Sequence, residues 1–300
     1  MQVFRVNHLT RYRYARPVQF GEHRMMLRPL DHPDQIVIHE RLVITPEPRE
    51  LSFVRDALGN WVGVAQFDGA ASELCFQSEV HVERRRLDQP QAMRPARSAS
   101  VPRAAEPTTE DQVVAAWARR FAPPRDGRPG LAALTAMTHA VHADFRYRHR
   151  LEHGVQSPRT TLELRSGACR DFAMLLVAAG RALGLRARFV SGYVHCGFGA
   201  PDERHPGTGH THAWASIHTP ERGWMDFDPT SGAVGADGMI RVAVADEPGQ
   251  AIPIQGVYFG GRDDFLGMDV EVHVDADHKF ESGGGAREPG PILRVADSTA

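Results

Sequence analysis

From Cys169 to about Leu183 the chain is apolar nearly all round: Phe172, Ala173, Met174, Leu175, Leu176, Val177, Ala178 and Ala179 follow Arg170 and Asp171 without a break. A helix without a polar face has to be buried on nearly every side, so other elements must cover it. Gly167 offers a tight turn before this helix, and Gly184 a stop after it. The flanking segments supply the cover. Val113, Trp117 and Phe121 share one helical face, Thr109 and Gln112 resemble a capping box, and Pro123-Pro124 ends that helix. Leu131, Leu134, Met137 and Val141 mark a second amphipathic helix running toward Phe145. Beyond Gly184 come strand-like runs at 187–194, 211–218, 224–227 and 240–244, and later at 270–274.

The first 84 residues keep a different period. Leu74, Phe76, Val80 and Val82 alternate with Glu73, Gln77, Glu79 and His81, the pattern of a half-buried strand. Ile36, Ile38, Leu42 and Ile44 alternate less cleanly with Val37, His39, Arg41 and Val43. Asp56-Ala57-Leu58-Gly59-Asn60 and Asp68-Gly69 are turn chemistry. An antiparallel sheet, of sandwich form, is expected here. Between the halves, Arg84-Arg85-Arg86 leads into prolines at 90, 95 and 102 among Ala, Ser and Arg, a composition that cannot bury a core. The expected organisation is an N-terminal β domain over 1–84, a linker over 85–107, a helix-and-sheet core over 108–258, a C-terminal strand region over 259–281, and a mobile Gly- and Pro-rich tail over 282–300.

Three hundred residues suffice for two compact domains. A formal charge of −2 gives no reason to expect nucleic acid as a partner. No window approaches eighteen uninterrupted apolar residues, so no membrane span is expected. Met1 to Arg5 lacks the pattern of a secretory signal, and three cysteines, Cys75, Cys169 and Cys196, do not make a disulfide framework. A cytoplasmic, reducing setting is therefore expected. Nothing in the pattern reads as an oligomeric state. Of the 35 basic residues all but Lys279 are arginine. A high-GC genome explains that bias, and so would an enzyme that forms isopeptide bonds and gains by lacking acceptor lysines of its own.

The chemistry gathers around Cys169. A thiol is mostly protonated at neutral pH, so a nucleophilic cysteine needs its thiolate stabilised. Cys169 stands at a helix N-terminus, where partial positive charge and free N–H groups collect. His212, in His212-Ala213-Trp214, and Asp228, in Asp228-Pro229-Thr230, follow on successive expected strands joined by the turn at 220–223. If those strands form a hairpin, Asp228 can hold the second ring nitrogen of His212. Thiol, imidazole and carboxylate in that arrangement are a nucleophile, its base and the group that orients the base. Cys75 falls on the polar face of its strand without a histidine to activate it, and Cys196 sits in a histidine-rich loop without a helix start.

These blocks carry a resemblance. Gly167-Ala168-Cys169-Arg170-Asp171-Phe172-Ala173, the run from Arg181 to Tyr193, His212-Ala213-Trp214, and the run from Trp224 to Thr230 resemble, in order, the core of the bacterial transglutaminase-like superfamily. The likeness covers about 110–232, and the opening β region is similar to the domain that precedes such cores in a bacterial subgroup. The resemblance implies an α+β protein: the β-sandwich, then a papain-like core with helices packed on an antiparallel sheet. It implies catalytic roles for Cys169, His212 and Asp228; a peptide or protein substrate is expected, and no cofactor or metal. Asp226 is also acidic, but its spacing from Trp224 favours Asp228. One departure stands out: related chains often carry a Gly-Arg-Asp-Tyr-like segment where this one has Ala245-Asp246-Glu247-Pro248-Gly249, although Ile254-Gln255-Gly256-Val257 fits. That difference bears on the substrate groove.

Attack of such a thiolate on an amide gives a thioester, which water resolves as hydrolysis and an amine as transamidation. Hydrolysis of peptide or amide bonds, as in a cysteine protease or amidase, is the expected reaction, with transamidation the alternative. Two other readings remain. His195, Cys196, His205, His210 and His212 crowd one stretch, but in no compact zinc pattern. A non-catalytic scaffold could also keep the fold. Arg170 and Asp171 are either helix-start electrostatics or substrate contacts.

Overall fold

The structure, a computed structural model, describes residues 2–85, 109–122, 129–150, 152–195, 210–235 and 237–277. The expected linker beyond Arg85, the Pro123-Pro124 helix stop, the Thr109 and His210 side chains, Cys196 with His205, and the tail from Ser282 lie outside the described residues. Five strands come first: β1 (Gln2–Met25), β2 (Gln35–Thr45), β3 (Glu50–Arg55), β4 (Trp61–Gln66) and β5 (Ala70–Arg84). Then come α1 (Thr109–Arg119), α2 (Leu131–Asp144), β6 (Arg146–Tyr147), α3 (Pro158–Leu164), β7 (Ser166–Gly167) and α4 (Cys169–Ala182). The chain closes with β8 (Ala187–Val194), β9 (His210–Thr219), β10 (Gly223–Asp228), β11 (Ala233–Val234), β12 (Met239–Ala245), β13 (Ile254–Phe259) and β14 (Phe265–Asp277). The α+β architecture is the expected one. No helix among the described residues is long and apolar enough to cross a membrane.

The β unit is one seven-stranded antiparallel sheet, ordered β2-β5-β1-β4-β3, with β13 and β14 also paired to β1. Its first half runs between β5 and β14, where Val6 faces Val80 and Val274; its second half meets β4 and β13, where Arg24 faces Val64 and Gln255. Register breaks between Arg13 and Val18 on the β5 side, and the long strand changes partners there. The expected sandwich thus takes the form of a sheet curled on itself. Its membership also differs from the expected boundaries, which place 254–258 in the core and 259–281 in a region of its own, whereas both strands there pair with β1. Val3 faces Asp277, and no local pattern reveals so distant a partner.

The core sheet is antiparallel, ordered β11-β10-β9-β8-β12. Helix α4 lies against it, with Phe172, Leu175, Leu176, Val177 and Ala179 buried among Val114 and Trp117 of α1, Leu134, Met137 and Val141 of α2, and Ala215, Ile217 and Phe227 of the sheet. Each large side chain so buried contributes roughly 1.5–3 kcal/mol, and together they fix α4 as the centre of the core. Helix α3 was not expected. It buries only Thr161 and starts on a Ser157 hydroxyl that accepts from Thr160 N at 3.1 Å, with Pro158 in its first turn, so it carries capping chemistry and almost no hydrophobic period.

The two units meet along β12, an edge strand of its sheet. An open edge exposes unpaired backbone groups, and here two side-chain amides take the place of a neighbouring strand. Gln35 donates Nε2 to Arg241 O at 2.8 Å and accepts from Arg241 N at 2.9 Å. Asn60 does the same at Val244, donating at 2.7 Å and accepting at 2.8 Å. Asp56 holds the Asn60 amide from within the expected turn, at 2.7 Å. Nearby, His8 Nδ1 pairs with the Tyr193 hydroxyl at 2.8 Å and Nε2 with Thr10 Oγ1 at 2.7 Å. Burial pushes His8 down to about 4. Phe4, Val6, Val80, Val82, Val272 and Val274 close the seam against Tyr193, Ile240 and Val242.

Candidate active site

Cys169 is the first residue of α4, and the turn before the helix is held by Asp171. That carboxylate is fully buried. It accepts from Ala168 N at 2.8 Å, from Gln156 N at 2.8 Å and from Arg150 Nη1 at 2.7 Å. Gly167 leaves room for it, since an added Cβ would stand 2.9 Å from Asp171 Cβ. Arg170 reaches back to the carbonyls of Gly154 at 2.8 Å, Glu152 at 2.8 Å and Arg150 at 3.1 Å. Arg170 and Asp171 therefore staple the 150–156 segment to the helix start. Asp171 N donates to Ala168 O at 3.0 Å, which leaves the amides of Cys169 and Arg170, without intrahelical acceptors, beside the thiol. Cys169 packs with Met26 of the N-terminal unit against a cluster of Ala173, Phe189, Ala213, Ala243, Ala245 and Ala251. Ala251 ends the short 3₁₀ turn at Pro248–Ala251, which begins inside the departing segment at 245–249.

The hairpin of β9 and β10 brings the other two residues together, with Phe227 facing Ala215. His212 Nε2 and Asp228 Oδ2 are 3.0 Å apart. The Cys169 sulfur lies near enough to favour the charged imidazole, and Nδ1 is the ring nitrogen that Asp228 leaves open. Burial opposes a charge on His212, but the Asp228 carboxylate, the Cys169 sulfur and the hydrogen bonds to both raise it well above the usual 6.5. Asp228 shows the converse balance: burial favours its neutral form, but His212, Ser231 and Thr230 hold it below 3.8. So the arrangement favours an imidazolium between a carboxylate and a sulfur.

Several positioning residues escaped the sequence reading. Ser231 donates Oγ to Asp228 Oδ2 at 2.6 Å, and Thr230 N donates to Oδ1 at 2.9 Å. The run Asp228-Pro229-Thr230-Ser231 carries that signal, an Asx-type turn. His142, in the last turn of α2, pairs through Nδ1 with Thr230 O at 2.8 Å and anchors the same loop. Trp214 is fully buried and stacks beside His212 at 29°, with centroids 6.2 Å apart. Gly192 makes this possible, since a Cβ there would lie 2.1 Å from Ile240 O and 2.6 Å from the Trp214 ring.

Asp226 turns to another partner. It accepts from Arg241 Nε at 2.7 Å, and Arg241 Nη1 reaches Asp34 at 2.9 Å. Asp34 also meets Arg84 at 3.2 Å and His32. Burial works against the Asp34 charge, but the His32 hydrogen bond, Arg241 and Arg84 hold its carboxyl far below the usual range. Cys75, the other described cysteine, is partly buried on its strand, and desolvation raises its thiol despite the nearby Arg11. Of the histidine-rich stretch, only His195 and His212 have described side chains.

Known proteins share this arrangement of sequence and fold. Residues 4–83 match the bacterial transglutaminase-like N-terminal region, and residues 115–229 match the transglutaminase-like superfamily. An uncharacterized protein of Mycobacterium tuberculosis is 29% identical over 295 residues, covering 90% of this chain and 92% of that one. One from Mycobacterium leprae is 28% identical over 285 residues, covering 89% and 97%. A solved structure from Cytophaga hutchinsonii, described as a "Putative Cysteine Protease", superposes with a TM-score of 0.64 over 96% of this chain and 94% of that one, at 18% identity. At that identity the likeness is one of fold. The two matches follow one another along the chain, and residues 115–229 carry a transglutaminase-like core behind the N-terminal region that matches its bacterial companion.

Proposed function

We propose that this protein is a cysteine-dependent acyl-transfer enzyme that hydrolyses peptide or amide bonds through a thioester. The observation that carries the reading is the His212 imidazole, held by Asp228 on one side and within reach of the Cys169 sulfur at a helix start on the other. The Cys169 thiolate attacks the carbonyl carbon, and the carbonyl electron pair moves onto oxygen beside the first amides of α4. As the tetrahedral species collapses, the C–N bond breaks and the His212 imidazolium gives its proton to the leaving nitrogen. The product is a thioester on Cys169 and a free amine. Water then attacks the thioester, His212 takes the proton, and the C–S bond breaks to release the acid and restore the thiolate–imidazolium pair. Asp228 keeps the ring oriented and favours its charged form throughout.

Transamidation is the second reading, favoured by the single lysine, Lys279, among 35 basic residues. The two share every step up to the thioester. Mass spectrometry of a glutamine-containing peptide incubated with a small primary amine separates them. Release of the acid with little amine adduct is the expected result; adduct outpacing acid would make the protein a transamidase. Loss of both products in Cys169→Ala is expected in either case, and either product persisting there would remove the proposal.

A further inference from the structure

On the face of the N-terminal sheet turned away from the core, His39 of β2 stands directly opposite His81 of β5. Their ring centroids are 4.7 Å apart with the planes tilted by 42°. Glu79, two residues before His81 and so on the same face of β5, places Oε1 3.2 Å from His81 Nε2. One donor atom from each of the three lies within 4.8 Å of the other two. The geometry points to a surface site at which His39, Glu79 and His81 bind a divalent d-block cation, with zinc as the reference ion.

Two imidazoles and a carboxylate are a donor set that zinc accepts, with bonds of roughly 2.0–2.2 Å. Donors around a tetrahedral ion of that size lie about 3.3–3.5 Å apart, so modest side-chain rotations bring the three together. The ladder supplies the preorganisation. Directly opposed residues on antiparallel strands hold their Cβ atoms about 4.5–5.5 Å apart, and from His39, just past a register shift after Val37, to Thr45 the two strands pair without a break. Three protein donors leave the fourth position for water or an added ligand.

The neighbours set the affinity. Arg5 faces His81 from β1, and Arg41 faces Glu79 from β2. Both add positive charge around the ion. Asp275 of β14 faces Arg5 and offsets one of them. Binding should therefore tighten when Arg5 is neutralised, an effect that a purely structural histidine pair would not show. The site uses none of Cys169, His212 or Asp228, so it stands apart from the proposed chemistry.

The test uses the full-length chain carrying Cys169→Ala, so that the thiol does not compete for metal. The protein is stripped with a chelator, then titrated with Zn²⁺ by calorimetry and with Co²⁺ by absorbance. One ion per chain is expected at this site. His39→Ala and His81→Ala should each weaken it at least as much as the roughly 10- to 100-fold loss that removing an outer-shell partner causes. Arg5→Gln should tighten it, and His205→Ala with His210→Ala should leave it unchanged. His39 is exposed, so its substitution should spare the fold; Zn²⁺ should raise Tm in the parent and not in His39→Ala. Absence of binding, binding unaffected by His39→Ala and His81→Ala, or binding lost with the 205 and 210 changes would each overturn the proposal.

Discussion

Asp226 and Asp228 stand two residues apart on β10, share a face of the strand and are each 1% exposed, yet their environments differ in kind. Asp228 holds an imidazole, which can gain and lose a proton, at the end of the strand where the thiol is within reach. Asp226 holds a guanidinium, which cannot, in a network that ties β12 to Asp34 and Arg84 of the N-terminal unit. Burial alone therefore does not mark the carboxylate proposed for catalysis. The partner's capacity to titrate, and the proposed nucleophile beside that partner, make the difference.

Substitutions on the two sides should have crossed effects. Arg241→Met leaves Asp226 and Asp34 buried with a cation removed, and breaking such a pair costs roughly 3–5 kcal/mol. Chemical denaturation should register that loss, while the turnover of the folded fraction stays close to wild type. Asp228→Asn should do the reverse. It removes the charge that favours the imidazolium, and kcat should fall by roughly 10²-fold or more, whereas the unfolding midpoint should move only by the pH-linked share of stability that the His212 pairing supplies. A variant at 241 that loses turnover but keeps its stability would erase the distinction.

The pH dependence sharpens it. His212 keeps its proton to a pH well above 6.5, so its pairing stabilises the fold fully below 6.5, and that stability is lost as pH rises through the folded value. The alkaline limb of activity should lie in the same region, and in Asp228→Asn it should move to lower pH. Asp228 covers the opposite limb: its contribution is present above 3.8 and is lost as pH falls through its depressed value. At the seam, His8 prefers to stay neutral, at about 4 against the usual 6.5. Stability should fall as pH drops from 6.5 to 4, by up to about 3 kcal/mol, in equilibrium unfolding curves, and His8→Phe should flatten that slope. Asn60→Ala, which strips both backbone groups of Val244, should cost roughly 1–3 kcal/mol in the same measurement without moving the alkaline limb of activity.

Much of this was legible before the structure. Cys169, His212 and Asp228 sit in short local blocks, and the all-apolar run after Cys169 already demanded a buried helix. The spans at 187–194 and 131–144 follow hydrophobic periods that the sequence carries openly. The unread parts depend on distant partners. Nothing near Asn60, Gln35 or His8 signals burial, because Val244, Arg241 and Tyr193, which satisfy them, come more than 180 residues later. The same holds for β14, whose alternation is plain but whose partner is the first strand of the chain. Asp226 and Asp228 could be ranked only by spacing, because a sequence does not show which cation each one meets.

The account rests on Cys169 as the proposed nucleophile, and its rate of alkylation tests that most directly. The folded protein is treated with limiting iodoacetamide across a pH series, and modification of each cysteine is followed by mass spectrometry. Cys169 should react faster than Cys75 and Cys196 at neutral pH, with activity lost in step, and its advantage should shrink in His212→Ala. Equal labelling of all three cysteines in the folded protein would contradict the assignment.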